Sequence, residues 1–466
     1  MTVHGLVRSA TVAVTLGIVG CAIAGRDAAG REPDAELLHA AMHQLSGVIV
    51  YDIFSPPQAS RVYAYASIAA YETLRQEHGE YASLAGQLNG LTPLPAPGPN
   101  VRISLPLAGV HAFMTVGRAL TFSRPRMDSL RTALDARIKS GGMTAAVYDS
   151  SIAYGERVAQ HVLGWAATDH FIETRGYPKY TVISTPGRWV PTPPAYMDGV
   201  EPNWAFLRPF VLDTASQVRP PPPPPFDMTP GSAFYVSAKE VYDTGKRLTE
   251  EQRAIANFWD CNPYVMHVQG HAMFATKKIT PGGHWMGIVA IASRNANADL
   301  MRASEAYART SVALADGFIS AWDEKYRSML IRPETVINSY LDEAWEPLLQ
   351  TPPFPEYPSG HSVVSNAAAV VLARLYGTPF AFVDSSEVEY GLPARSFPSF
   401  EAAAAEAAIS RLYAGIHFRP AIERGAVQGR AVGMLVNDRV HTRVAPHVAT
   451  RPAADTVSRG AGSSTH

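Results

Sequence analysis

Three short polar patches, set into long apolar and helix-like runs between Trp322 and His417, constrain this chain more than any other feature. They are Lys325 with Arg332-Pro333, then Pro358-Ser359-Gly360-His361, then Ser410-Arg411 with His417. Together they bring three cations, a hydroxyl, a glycine amide and two imidazoles, and the one carboxylate close to the second patch is Glu356. Such a set suits a tetrahedral or trigonal-bipyramidal oxyanion. Arginine offers a planar fork of donors, lysine a point charge, and glycine lets the backbone approach closely. A fold that uses them must bring the ends of several helices to one point.

The spacings are compatible with a single site. Lys325 and Arg332 lie seven residues apart, close to two helical turns, so both face one way if Ala321 to Ile331 is helical. Pro333 is expected to end that helix, because proline lacks the N–H and biases its predecessor away from helical geometry. Ser359-Gly360-His361 opens the apolar run Val363 to Tyr376, whose first-turn amides carry the positive end of the helix dipole. The Ala-rich run Ser399 to Tyr413 carries Ser410 and Arg411 near its end. Gly415 then turns the chain, and His417 precedes a helix beginning near Pro420.

In this order, K-x6-R-P, P-S-G-H and S-R-x5-H resemble the three-part signature of the vanadium haloperoxidase and type 2 phosphatidic acid phosphatase superfamily. All seven signature positions match: Lys325, Arg332, Ser359, Gly360, His361, Arg411 and His417. The signature spans roughly Ala315 to His441. A second stretch, S-P-P-Q-A-S-R-V-Y-A-Y-A-S-I-A-A-Y-E from Ser55, is similar to the N-terminal region of bacterial vanadium haloperoxidase homologues. Its Arg61 and Glu72 read as a buried ion pair or a solvated face rather than as a site.

The resemblance implies an all-α protein of two packed four-helix bundles, with the oxyanion site at the top of the C-terminal one. It places His417 apically on the central atom and His361 opposite. Lys325, Arg332, Arg411, Ser359 and the Gly360 amide surround the equatorial oxygens. With vanadate as cofactor, His417 is the only protein ligand to vanadium, which stays pentavalent and acts as a Lewis acid. Hydrogen peroxide, a halide and an organic acceptor are then the partners, His361 moves protons, Lys325 polarises bound oxygen, and a hypohalous species is the product. With phosphorus at the centre, the same residues make an acid phosphatase, with a phosphohistidine at His417 and His361 as general acid. Trp322 and Phe354 match positions where related haloperoxidases place aromatics around vanadate, which favours halide chemistry. Iodide and bromide are expected before chloride because they are easier to oxidise. A non-enzymatic envelope lipoprotein is the third reading.

The 466 residues, 17% charged and 47% hydrophobic, suffice for a large core, and the formal charge of −1 argues against a nucleic-acid binder. Residues 1–21 read as a signal peptide ending in a lipobox, Ile18-Val19-Gly20-Cys21, with Cys21 as lipid acceptor and the only membrane attachment. Lipidation predicts a protein anchored to the bacterial envelope, facing the periplasm or the outer surface. It leaves Cys261 as the only free thiol. A tether (22–34), an N-terminal helical region (35–280), a C-terminal catalytic bundle (281–445) and a disordered tail (446–466) follow, and a homo-oligomer is compatible with all of this. The N-terminal region holds a Pro-rich insert, 169–231, that reads equally as a substrate lid, a brace for the bundle or an oligomer interface. His267 and His271 are four apart but lack the H-E-x-x-H pattern of a zinc site. The order of residues does not decide whether His284 and Trp285 wall the site. Strand signals are poor throughout.

Overall fold

The computed structural model describes residues 34–140 and 142–444. The expected signal peptide with Cys21, nearly all of the tether, and the tail lie outside them. The N-terminal half contains α1 (Asp34–Tyr51), α2 (Pro56–Leu74), α3 (Leu105–Leu120), α4 (Arg124–Ser140), α5 (Ala145–Ala166) and the short α6 (Phe171–Arg175). Then come α7 (Ala233–Lys246), α8 (Glu250–Phe258), the hairpin β1 (Val265–Gln269) and β2 (Ala272–Thr276), and α9 (Pro281–Asn295). The last part holds α10 (Leu300–Ser328), α11 (Pro333–Tyr340), α12 (Gly360–Tyr376), the short pair β3 (Phe382–Asp384) and β4 (Arg395–Phe397), α13 (Phe400–Tyr413) and α14 (Arg419–Arg439).

Local chemistry starts most of these helices. Ser55 caps α2 by accepting from the Gln58 amide, with Pro56-Pro57 in the first turn. Thr249 and Gln252 form a reciprocal capping box on α8. Thr280, Asp299, Ser359 and Ser399 cap α9, α10, α12 and α13, each accepting from a first-turn amide.

Helix α10 is the spine. Nearly every residue from Leu300 to Trp322 is buried, and the helix packs on α2 in one direction and α12 in the other. One apolar cluster therefore runs from Leu38 in α1 to Val440 beyond α14. The first bundle is built from α1, α2, α3 and α5, and the second from α10, α12, α13 and α14. In the second, α14 lies hard against α12 because Gly425, Gly429 and Gly433 present no side chain there. A Cβ at Gly429 would sit 2.0 Å from the Val363 carbonyl oxygen.

Two local expectations are corrected. Helix α10 does not reach Ile331, and Pro333 does not end it. Met329 turns left-handed at φ 50° and caps the helix through its own N–H to the Lys325 carbonyl. The chain then pairs antiparallel with the insert at Leu330, Trp189 N–H donating to Met329 O at 2.8 Å and Ile331 N–H to Gly187 O at 3.0 Å. Pro333 instead opens α11, where proline is favoured at the first position. The weak strand signals also hid two short hairpins. His267 and His271 lie on β1 and its turn, His267 bonds Thr276 Oγ1 at 2.8 Å and stacks on Phe274, and the pair does not form a helical metal face.

The insert braces rather than hangs free. Besides its pairing with residues 329–331, its Val200 carbonyl accepts from Trp322 Nε1 at 3.1 Å and Tyr326 OH at 2.7 Å. Arg61 pairs with Asp169 at 2.6 Å, with Tyr65 on the same carboxylate, so this arginine anchors the start of the insert. Glu72 ties Arg75 to the loop at Ser83.

Candidate active site

Each polar side chain of the three patches sits at or near a helix end. Lys325 is in the last turn of α10, Arg332 at the N-cap position of α11, and Ser359 at the N-cap of α12 with Gly360 and His361 in its first turn. Arg411 is in the last turn of α13, and His417 precedes α14. All but His361, which is partly open, are buried. The structure thus gathers all seven from five helix ends.

Backbone carbonyls solvate the cations. Lys325 Nζ reaches the carbonyl oxygens of Pro355, Glu356 and Pro358 at 2.9, 3.1 and 2.6 Å. Burial and the neighbouring Arg332 push the lysine well below its usual range, and Glu356 opposes them. Three donors on three carbonyls are nevertheless the arrangement of an ammonium, because a neutral amine has only two N–H groups. Arg332 Nε donates to Phe354 O at 2.8 Å and Nη1 to Ile416 O at 2.9 Å, while burial draws its pKa down to about 10. Arg411 Nη2 donates to the Trp259 carbonyl at 2.7 Å and Nε to Ser410 Oγ at 2.9 Å.

The imidazoles are held as neutral bases. Burial, with Arg411 for His361 and Arg332 for His417, holds both well below the usual histidine range. His417 Nδ1 lies 2.9 Å from Glu356 Oε1, and Nε2 lies 3.2 Å from Arg332 Nη1. Arginine can only donate, so Nε2 presents its lone pair to Arg332 and Nδ1 carries the proton toward Glu356. Burial pushes Glu356 up to about 7 against the pull of Arg332, the Phe418 amide and Lys325. His361 hydrogen-bonds the Trp259 backbone and leaves Nε2 buried without a partner.

Whether an oxyanion fits is tested by the donors left over. Arg332 Nη2 is buried with no partner, although burying an unpaired charged donor is costly. Ser359 Oγ accepts from Ser362 Oγ at 2.9 Å and keeps its own proton to donate. Gly360 N–H is a first-turn amide, and a Cβ there would meet Lys325 Cε at 3.9 Å and the Trp322 ring at 3.6 Å. Arg332 also places Nη1 3.2 Å from His417 Nε2, and an oxyanion with a Lewis-acidic centre matches this set of donors and lone pair.

Trp322 and Phe354 form one wall, their ring centroids 5.0 Å apart. Lys325 Nζ and Arg332 Cζ each lie 5.0 Å from the Phe354 ring, within cation–π range. Trp285 is elsewhere, donating to Ser365 Oγ in the core at 2.8 Å. His284 is fully buried and stacked on Trp259 at 4.5 Å. Sequence reasoning gave Glu356 no role. Its signal was a lone carboxylate inside the apolar, proline-rich run Pro352 to Pro358.

The comparisons with known proteins meet this geometry. A family model, the VCPO second helical-bundle domain, matches residues 305–446. A crystal structure described as that of the first bacterial vanadium-dependent iodoperoxidase superposes with a TM-score of 0.84 at 52% identity, covering 88% of this chain and 98% of that one. The chain belongs to the vanadium-dependent haloperoxidase family. That membership selects the haloperoxidase reading of the shared signature over the acid-phosphatase one. A holo-type bacterial vanadium-dependent chloroperoxidase gives a TM-score of 0.62 at 18% identity, covering 83% of this haloperoxidase and 93% of its own chain. An apo-type chloroperoxidase structure gives the same score and identity over 81% and 92%. At that identity they share the fold alone. A search of curated proteins found no match. Among the described residues of this haloperoxidase, no helix is long and apolar enough to cross a membrane.

Proposed function

We propose that this haloperoxidase oxidises iodide, and bromide more slowly, with hydrogen peroxide, using vanadate held in the cradle of Lys325, Arg332, Ser359, Gly360, His361, Arg411 and His417. The observation that carries the reading is His417 Nε2, a lone pair fixed by Glu356 and set among three cations and unpaired donors. The 52% identity to a chain described as an iodoperoxidase supports the choice of halide. Vanadate, when bound, supplies a Lewis-acidic centre that activates peroxide toward a halide.

The protein's own residues do the rest. His417 Nε2 would hold the cofactor, and Glu356, by facing Nδ1–H, keeps Nε2 free of a proton. Arg332 Nη2, Arg411, the Ser359 hydroxyl and the Gly360 amide neutralise and orient the oxygens. His361, neutral and unpartnered at Nε2, could accept a proton from peroxide and hold it at that nitrogen. Lys325, charged on its three carbonyls, would lower the negative charge of a bound oxyanion through its field. Trp322 and Phe354 exclude water from that side.

Chelator-stripped protein tests this directly. Iodide oxidation should appear only after vanadate is added, should exceed bromide oxidation, and should be slowed by excess phosphate during reconstitution. Turnover without vanadate, or faster with bromide than iodide, would overturn the assignment. Export and lipid attachment through Cys21 belong to the same reading, resting on the Ile18-Val19-Gly20-Cys21 sequence. Wild-type protein should partition with membranes and Cys21→Ser should not.

A further inference from the structure

Behind the cradle, three side chains unused by the proposed chemistry converge on one point. Cys261 follows α8, His284 is in the first turn of α9, and Glu387 is in the turn after β3. All three are buried. Cys261 Sγ lies 3.4 Å from His284 Nδ1 and 3.8 Å from Glu387 Oε1, and His284 Nδ1 lies 3.1 Å from Glu387 Oε1.

This triangle has the size of one face of a metal tetrahedron. Bonds of about 2.0–2.1 Å to nitrogen and oxygen and about 2.3 Å to sulfur set ligand atoms roughly 3.3–3.6 Å apart. With no ion bound, Glu387 Oε1 accepts from the Cys261 thiol and faces His284 Nδ1, so one point gathers a thiol, an imidazole and a carboxylate. A second observation points the same way. The far nitrogen, His284 Nε2, lies 2.8 Å from Asp384 Oδ2, and Asp384 is itself held by the Ser386 amide at 2.9 Å. A carboxylate on the outer nitrogen is how metal-binding histidines are oriented. The cluster thus holds a thiol and two carboxylates in the interior, and the ion-pair partner of both carboxylates is His284 itself.

We propose that Cys261 Sγ, His284 Nδ1 and the Glu387 carboxylate form a buried site for one zinc-class divalent cation, with Asp384 orienting His284. The mixed thiolate, imidazole and carboxylate set suits zinc better than calcium or magnesium, which take oxygen ligands. The ion would tie the loop after α8 to α9 and to the β3 turn. Trp259, stacked on His284, carries the carbonyl that holds Arg411, so this tie stands one ring behind the oxyanion cradle. The role is structural.

The test uses the full chain, treated with a chelator and titrated with Zn²⁺ or Co²⁺ alone. One equivalent should bind, and Co²⁺ should give a near-ultraviolet thiolate-to-cobalt band. Cys261→Ser should abolish that band, while Glu387→Gln and Asp384→Asn should weaken Zn²⁺ binding on the order of 10–100-fold. Zn²⁺ should also raise the melting temperature of wild-type protein. Should Cys261→Ser fail to fold, the wild-type spectrum and the Glu387→Gln affinity carry the decision. Absence of bound metal, or Co²⁺ binding without the thiolate band, would overturn the site and leave His284 as an imidazolium between Asp384 and Glu387.

Discussion

The role given to Glu356 can be measured separately from its charge. Its Oε1 accepts from His417 Nδ1 and from the Phe418 amide, both at 2.9 Å, and hydrogen bonds to a charged acceptor contribute roughly 1.5–3 kcal/mol each. A carboxylate beside an anion site also repels the anion. One unit charge several ångström away at an effective dielectric near 20 costs on the order of 2–3 kcal/mol. The two effects have opposite signs, so Glu356→Ala alone would mix them. Glu356→Gln and Glu356→Met are both neutral and of similar length, and only Gln retains the acceptor. Their difference is therefore the positioning effect alone. Vanadate binding to stripped protein, measured by calorimetry, should be weaker in Glu356→Met than in Glu356→Gln on the order of 10–100-fold, the usual cost of losing an orienting partner. Nitrogen-15 shifts of His417 should show a proton on Nδ1 in wild type and Glu356→Gln and a mixture of tautomers in Glu356→Met. Equal vanadate affinities with an unchanged Nδ1–H tautomer would refute the argument.

Other expectations follow from the same contacts. Arg411→Ala should weaken vanadate affinity about tenfold to a hundredfold, and Arg411→Lys should recover only part, because the fork that spans Trp259 O and Ser410 Oγ is lost; equilibrium binding checks both. His361→Ala should keep most vanadate affinity yet lose iodide turnover on the order of 10²–10⁴-fold, seen by running the two assays on one sample. Burial holds the His39 pKa at about 4 against 6.5 when free, so its contribution is present above pH 6.5 and lost as pH falls toward 4. By pH 5 that loss is about 2 kcal/mol, and urea melts of His39→Leu should lack that part of the acid sensitivity. Gly429→Ala should destabilise by about 1–3 kcal/mol or more in thermal melts, since its methyl must displace α12 at Val363.

Much of the site was legible because its residues sit where local sequence signals are strongest. Ser359 is both cap and candidate ligand holder, Arg411 ends an Ala-rich helix, and His417 stands between a glycine turn at Gly415 and Pro420. Each position follows from its near neighbours. The end of α10 does not, because it is decided by pairing with residues 187–189, about 140 positions earlier in the chain. Seven-residue spacing placed Lys325 and Arg332 together for the wrong reason. They meet across a left-handed Met329 and an extended link, not along one helix. Glu356 was hidden for a related reason, since its partner His417 is 61 residues away and no local pattern links them.

The same long-range contacts explain how a cluster of cations is kept ready in the interior. Three buried cations and one nearby carboxylate leave the cradle positive, which by itself would favour deprotonation or water entry. The backbone opposes this with carbonyl dipoles: three on Lys325, two on Arg332 and the Trp259 carbonyl on Arg411. Those carbonyls come from the proline-rich run before Pro358, the segment before His417, and the end of α8. The first is tied to the insert through Val200 N–H on Pro353 O at 2.9 Å. The insert therefore bears on the site through the backbone: it holds the loop whose carbonyls hold the cations. Only donors without such a carbonyl, Arg332 Nη2 foremost, are left to face the anion. The orientation cost is met when the chain folds rather than when the oxyanion arrives, which is the condition for electrostatic preorganisation.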